Sequence, residues 1–270
     1  MPELPEVETT RRGIEKHVIN KPITDVILRT KKLRWPLPAR LKSKLINQSI
    51  RTIYRRGKYL LLSIGEGTLI VHLGMSGSLR VTTKAASANK HDHVDIVFSD
   101  SILRLHDPRR FGAVLWTSKN PYQHKLLSAL GPEPLSQTFS GTYLYKLSRY
   151  RQASVKDFIM NSKNVVGIGN IYATESLFLS GIHPLRAAGK ISESRYELLV
   201  DNIKTVLTKA LECGGTTLRD FVNEEGKPGY FSIDLKAYGR QGLPCLICNK
   251  PLRAIKQNQR TTTYCTHCQK

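Results

Sequence analysis

An α+β fold in several domains follows from three features of the 270-residue sequence. Residues 22–117 break into short β-rich runs separated by turns such as Gly65-Glu66-Gly67 and Ser99-Asp100-Ser101, which predicts a sandwich or barrel-like β domain. Beyond Gly131-Pro132-Glu133-Pro134, which reads as a linker, the pattern turns helical. From residue 235 to the end there are seven Lys/Arg and no acid, marking a small third unit that holds two Cys-x-x-Cys pairs. The expected domains are therefore 1–131, 132–234 and 235–270.

Leu4, Val7, Ile14 and Val18 recur at helical spacing and predict an amphipathic helix over 4–18. Strands are expected at 23–29, 49–55, 59–64, 68–73, 78–82, 93–98, 102–105 and 113–117, with a short helix inserted over 36–45. Helices are expected at 141–148, 152–162, 170–180 and 192–213, the last carrying Leu198, Val200, Ile203, Val206, Leu207 and Leu211. The chain has no internal repeat and no low-complexity tract.

Composition narrows the function classes. With 40% hydrophobic and 23% charged residues the chain is of soluble globular type. Its 42 Lys+Arg against 21 Asp+Glu leave +21, a field that favours a polyanion and fits neutralisation of phosphates. No run approaches the roughly 18–20 apolar residues of a membrane span. No basic stretch followed by an apolar core marks a secretory signal, so a cytoplasmic location is expected. In that setting four of the five cysteines, paired as Cys-x-x-Cys, read as metal ligands rather than disulfides.

The opening Met1-Pro2-Glu3-Leu4-Pro5-Glu6 carries the first chemistry. Removal of Met1 would leave a proline amine, whose pKa of about 8 against about 10.4 for lysine keeps roughly a tenth of it neutral at pH 7. Such a secondary amine can attack an electrophilic sugar carbon and form an iminium ion. Glu3 and Glu6, three apart, would share one helix face beside it, as amine-based covalent catalysis requires. Proline and glutamate also simply favour a helix's first turn.

Cys245-x-x-Cys248, sixteen residues, then Cys265-x-x-Cys268 has the spacing of a four-cysteine structural zinc site. Four thiolates close the shell, so this zinc would hold a fold and catalyse nothing. Cys213 is left over and is expected as a core thiol. Lys256–Thr263 between the pairs suits a basic hairpin tip, with Arg260 the side chain expected at the reaction centre.

His72–Gly77 and Asp107–Gly112 place Met75 and Phe111 beside Arg109, as apolar wedges that fill a duplex when a base is taken out of its stack. Taken singly, the two apolar residues also suit a core. Arg55-Arg56-Gly57-Lys58 and Lys90-His91-Asp92-His93 read as backbone-gripping loops, or as solvated faces. Val165–Tyr172 is a glycine turn opening a helix, whose free amides suit one phosphate. It lacks the dinucleotide fingerprint, so no nucleotide cofactor is expected.

Pro2-Glu3-Leu4-Pro5-Glu6-Val7-Glu8, His72–Gly77, His91-Asp92-His93, Asp107–Gly112, Val166–Ala173, Gly226–Phe231 and the terminal cysteine pairs occur in one order over essentially the whole chain. This order resembles the bacterial formamidopyrimidine-DNA glycosylases. The resemblance implies an N-terminal helix plus β-sandwich domain, a helix–two-turn–helix domain and a zinc finger with one structural ion. It implies a monomer acting on double-stranded DNA with an oxidised base, in a cytoplasmic, nucleoid-associated setting. It also implies base excision by Pro2 with Glu3 as acid and Glu6 as support, then β,δ-elimination with Lys58 and Arg260. His72, His91, Arg109, Arg151, Asn170 and Tyr238 match DNA-contacting positions, and Met75, Arg109 and Phe111 the void-filling trio. The loop at about 216–230 falls where the family closes over the damaged base. Two positions depart from the family pattern: Asp157 replaces the proline after Lys156, and Asn161 replaces an acid. The alternatives are an endonuclease VIII-like enzyme for oxidised pyrimidines and a non-catalytic damage-binding protein.

Overall fold

The computed structural model describes residues 1–214 and 235–270. The expected lid at about 216–230 and the Gly226–Phe231 motif lie outside the described residues. Among the described residues the chain divides into two compact units, 1–129 and, taken together, 130–213 with 235–270.

The first unit runs α1 (Leu4–Val18), β1 (Asp25–Leu28), α2 (Leu41–Leu45), β2 (Ile50–Arg56), β3 (Tyr59–Ile64), β4 (Gly67–His72), β5 (Ser78–Thr82), β6 (Asp92–Val97), β7 (Ile102–His106) and β8 (Ala113–Thr117). Leu4, Val7, Ile14 and Val18 are all buried, so α1 lays down the face that its spacing predicts. Glu3 is its N-cap in extended conformation, and Pro5 sits in the first turn, where a missing N–H costs nothing. Ile19 returns to extended backbone and ends the helix.

The strands form two antiparallel four-stranded sheets, ordered β2-β3-β4-β8 and β1-β6-β7-β5. Leu60, Leu62, Leu69, Val71 and Val114 of the first share one core cluster with Leu79, Val94, Ile96, Leu103 and Leu105 of the second. Val7, Ile14 and Val18 of α1 complete that cluster, the arrangement of a β-sandwich with a helix against it. The predicted helix at 36–45 shortens to α2 because Pro36 and Pro38 lack donors and push the chain extended, Pro36 pairing with Lys32 instead.

The second unit contains α3 (Gly141–Ser148), α4 (Val155–Met160), α5 (Asn170–Leu179), α6 (Glu193–Glu212), β9 (Arg253–Gln257) and β10 (Arg260–Tyr264). Both α3 and α5 pack on α6. The helix predicted over 152–162 begins later, because the Ser154 hydroxyl accepts the Asp157 N–H at 3.1 Å and caps the helix there. Asn161 turns extended and stops it. Cys213 departs from the expected core position: the last buried residue of α6 is Ala210, and Cys213 is its half-buried C-cap.

The β9–β10 ribbon is anchored within this unit by Glu175, only 3% exposed and the one charged residue of α5. Its carboxylate accepts the backbone N–H groups of Lys236, Ala237 and Tyr238 at 2.8, 2.9 and 2.7 Å. Three charge-assisted bonds satisfy a buried carboxylate and fix the chain's entry to the ribbon.

Candidate functional site

Pro2 is buried ahead of α1, with Glu3 and Glu6 only 2% and 1% exposed behind it. The Glu3 backbone N–H donates to Glu6 Oε2 at 2.8 Å, the reverse half of a capping box. One turn on, Glu8 binds Arg11, Arg12 and the Arg55 Nε, the last at 3.0 Å. Burial opposes ionisation of Glu8, but hydrogen bonds and charge from Arg11, Arg55 and Arg12 hold its carboxyl below the usual range. Arg55 lies next to the end of β2, so this pair ties α1 to the β2–β3 hairpin, whose turn carries Lys58.

His72 pairs in register with Tyr59 just after that turn, the two rings 4.7 Å apart. Burial, followed by the nearby charges of Lys58 and Arg34, pushes His72 down to about 4. Its Nδ1 accepts the Gly74 N–H at 3.0 Å, so the proton of this neutral ring sits on Nε2, available to donate.

Two interlocked loops follow His72. Gly74 has φ +68°, and a Cβ there would lie 2.5 Å from Gly112 N and 2.6 Å from the Phe111 carbonyl carbon. The buried Asp107 organises the second loop: its Oδ2 accepts the Gly112 N–H at 2.7 Å, and its own N–H donates to His91 O at 2.9 Å. His93 Nε2 donates to Asp107 O at 3.0 Å, while burial lowers its pKa. The Arg34 N–H reaches Gly112 O at 3.1 Å, a support the sequence does not advertise. Held this way, Met75 and Phe111 are 39% and 44% exposed, placing both outside the core. The Arg109 guanidinium stands 4.9 Å over the Phe111 ring. The first unit thus brings Lys58 beside His72 and sets Met75, Arg109 and Phe111 on interlocked loops.

Arg151, Asn170, Tyr238 and Arg260 belong to the second unit. Asn170 opens α5, and its Nδ2 donates to Thr261 O at 3.0 Å, next to Arg260. Lys156, almost fully buried, donates to Asn170 Oδ1 and to Thr262 Oγ1 at 2.6 Å. The glycine turn and the ribbon hairpin are therefore one structural piece, with Arg260 exposed on it. Arg151 is exposed, beside Gly189 and Lys190 in a hollow that Arg149 and Tyr150 also line.

The four thiols converge. All Sγ atoms of Cys245, Cys248, Cys265 and Cys268 lie within 4.8 Å of one another, with Cys245–Cys268 at 3.9 Å and Cys248–Cys265 at 3.5 Å. Tetrahedral zinc with bonds near 2.3 Å sets its sulfurs about 3.8 Å apart. Against the upward pull of burial, backbone N–H groups of Cys268 and His267 bring Cys265 down to about 7; burial and the neighbouring thiols push Cys268 up to about 12. Thiols so crowded cannot all ionise without a cation, which is the chemistry of a zinc-binding set.

Residues 1–114 match the Formamidopyrimidine-DNA glycosylase N-terminal domain, 130–222 the Formamidopyrimidine-DNA glycosylase H2TH domain, and 242–270 the zinc finger found in FPG and IleRS. The chain is 56% identical to Formamidopyrimidine-DNA glycosylase of Nitrosococcus oceani over 270 residues, and 58% identical to that of Saccharophagus degradans over 271, covering all of each chain. Among solved structures, a Lactococcus lactis FPG variant in complex with Fapy-dG-containing DNA superposes with TM-score 0.93 at 34% identity over all of both chains. The MutM (FPG) protein of Thermus thermophilus gives 0.88 at 33% identity over 99% of this chain and 98% of that one. A helix-led β-sandwich joined in sequence to a helical unit with a four-thiol ribbon defines a protein of the H2TH class. Within that class, the chain belongs to the formamidopyrimidine-DNA glycosylase family.

Among the described residues, no helix is long and apolar enough to cross a membrane.

Proposed function

We propose that this protein is a bifunctional DNA glycosylase and AP lyase that removes oxidised purines from duplex DNA. The observation that carries the reading is the buried Glu3–Glu6 pair directly behind Pro2, at the start of a chain more than half identical to its glycosylase relatives. With Met1 removed, the Pro2 nitrogen lone pair attacks C1′ of the everted nucleotide. The base leaves with the glycosidic electron pair, the proline nitrogen gives up its proton, and the C1′–O4′ bond opens onto O4′, which is protonated. Glu3 supplies the proton for ring opening or for departure of the base. Glu6 supports the turn. The resulting iminium acidifies the C2′ hydrogen; its loss expels the 3′-phosphate, and a second elimination expels the 5′-phosphate. Lys58 serves the first elimination as proton donor and Arg260 serves the second.

His72, His91, Arg109, Arg151, Asn170 and Tyr238 contact the DNA, with Met75 and Phe111 filling the space left by the lesion. The net charge supports phosphate neutralisation on this scale. One zinc on Cys245, Cys248, Cys265 and Cys268 maintains the ribbon that carries Arg260. The protein acts as a monomer near the nucleoid.

The test is borohydride reduction during reaction with a duplex holding one 8-oxoguanine opposite cytosine. A covalent adduct through the N-terminal residue is expected, and Pro2→Gly lowers its yield about tenfold. No adduct with any oxidised duplex would leave a binding protein; preference for thymine glycol would leave the pyrimidine-directed enzyme.

A further inference from the structure

A polar cluster in the second unit is used by no step of the proposed reaction: Ser154, Asp157, Gln257 and Asn258. Asp157 Oδ2 accepts from the Ser154 hydroxyl at 2.7 Å and from Gln257 Nε2 at 3.0 Å, while Oδ1 accepts from Asn258 Nδ2 at 2.8 Å. Gln257 is the last residue of β9 and pairs in register with Arg260. Between them, Asn258 and Gln259 both take left-handed φ, 45° and 61°. Non-glycine residues resist that conformation, so a tip made of two of them needs support from outside the hairpin. Asp157 supplies it to the residues on either side of where the turn begins. Burial works against its charge, yet the Ser154, Gln257 and Asn258 bonds hold the carboxyl below its ordinary range.

Helix capping does not account for these contacts. The N-cap of α4 is Ser154, whose hydroxyl already accepts the Asp157 N–H. Oδ2 also takes the Ser154 hydroxyl, yet each Asp157 oxygen accepts a bond from the hairpin as well, across 100 and 101 residues of sequence. The same hairpin is held from its other strand by Lys156 on Thr262 and Asn170 on Thr261. Asp157 thus braces the β9 side and the tip, and Lys156 with Asn170 the β10 side. Arg260 projects from the strand between these two supports.

We infer that Asp157 is a positioning residue for Arg260, fixing the hairpin tip so that the guanidinium meets the same phosphate in each encounter. This rests on the reading of Arg260 as the group serving the second elimination. Misplacement by an ångström is enough to cost a positioned group much of its effect. The step that depends on Arg260 should therefore suffer, while base excision, which depends on Pro2 and Glu3, should not.

The experiment uses full-length zinc-loaded protein in single turnover on the 8-oxoguanine duplex. In Asp157→Ala, excision and borohydride trapping should stay within about twofold, while the ratio of δ- to β-elimination product falls about tenfold. Asp157→Asn, which keeps one acceptor oxygen, should recover part of the ratio. An unchanged ratio overturns the proposal. So does an equal fall in excision and both eliminations, which would make Asp157 structural only. Amide hydrogen exchange over residues 255–263 in the DNA-free protein reads the brace without any chemistry. Faster exchange in Asp157→Ala is expected, and unchanged exchange overturns the proposal. If the parent protein forms no δ-product, the reading of Arg260 fails; a brace still visible by exchange distinguishes that failure from failure of the brace.

Discussion

The Glu3 backbone N–H and the Glu6 carboxylate meet at 2.8 Å inside a corner that leaves both residues almost fully buried. One glutamate thereby orders the turn on which the proposed acid and nucleophile sit. Glu6→Ala removes the acceptor and should cost roughly 0.5–2 kcal/mol of stability, the range for a lost cap. Glu6→Gln retains an acceptor oxygen and should unfold in urea within about 0.5 kcal/mol of the parent. If the charge of Glu6 matters to the reaction as well, the Gln variant should still trap DNA more slowly. A Gln variant with full trapping rate would restrict Glu6 to its capping role.

His72 gives a pH dependence of defined sign. The folded ring titrates near 4, pushed there by burial and then by Lys58 and Arg34, whereas an unfolded histidine titrates near 6.5. Between those values the unfolded chain binds a proton that the folded one does not. Its contribution to stability is therefore full above about pH 6.5 and is lost as the pH falls toward 4. His72→Gln should reduce the slope of unfolding free energy against pH in that window by about one proton. Buried His93 is also shifted downward, so part of the slope should remain. An unaltered slope in the variant would show that His72 protonates freely in the fold.

Local patterns made much of this legible. The boundaries of β3, β5 and β8 match their β-rich runs to the residue, because β-rich composition bounded by turn residues is a local property. The cysteine set likewise rested on two Cys-x-x-Cys pairs and the sixteen residues between them, and its four thiols do converge. The failures were also physical. Prolines trimmed α2, and a serine cap delayed α4. Most hidden were supports between distant residues: Arg34 on Gly112, Lys156 on Thr262, and Glu175 on the 236–238 amides. No periodicity encodes a partner 106 residues away. Glu175 alone left a trace, as the one charged residue in helix α5.

Zinc removal tests the ribbon. Four sulfurs within 4.8 Å need a cation to ionise together, and a unit this small has little apolar surface to bury without one. Elemental analysis should find one zinc per chain. Chelation should abolish binding to duplex DNA, and restoring zinc should return it. Retained binding by verified metal-free protein would remove the ribbon from the interface.

Gly74 and Gly239 separate backbone strain from collision. Both have positive φ, +68° and +74°, so alanine is conformationally disfavoured at each. At Gly239 nothing lies within 4 Å of the added Cβ, whereas at Gly74 it meets backbone atoms of Gly112 and Phe111 at 2.5 and 2.6 Å. Backbone cannot swing aside as a side chain can. Gly239→Ala should therefore cost about 1 kcal/mol through conformation alone. Gly74→Ala should cost more, about 1–3 kcal/mol, and force the loops bearing Met75 and Phe111 apart. If those loops fill the space left by an everted base, Gly74→Ala should weaken binding to lesion-containing duplex more than to intact duplex. Fluorescence anisotropy with the two duplexes measures this. An equal loss on both would mean that the interlock serves general DNA contact rather than lesion recognition.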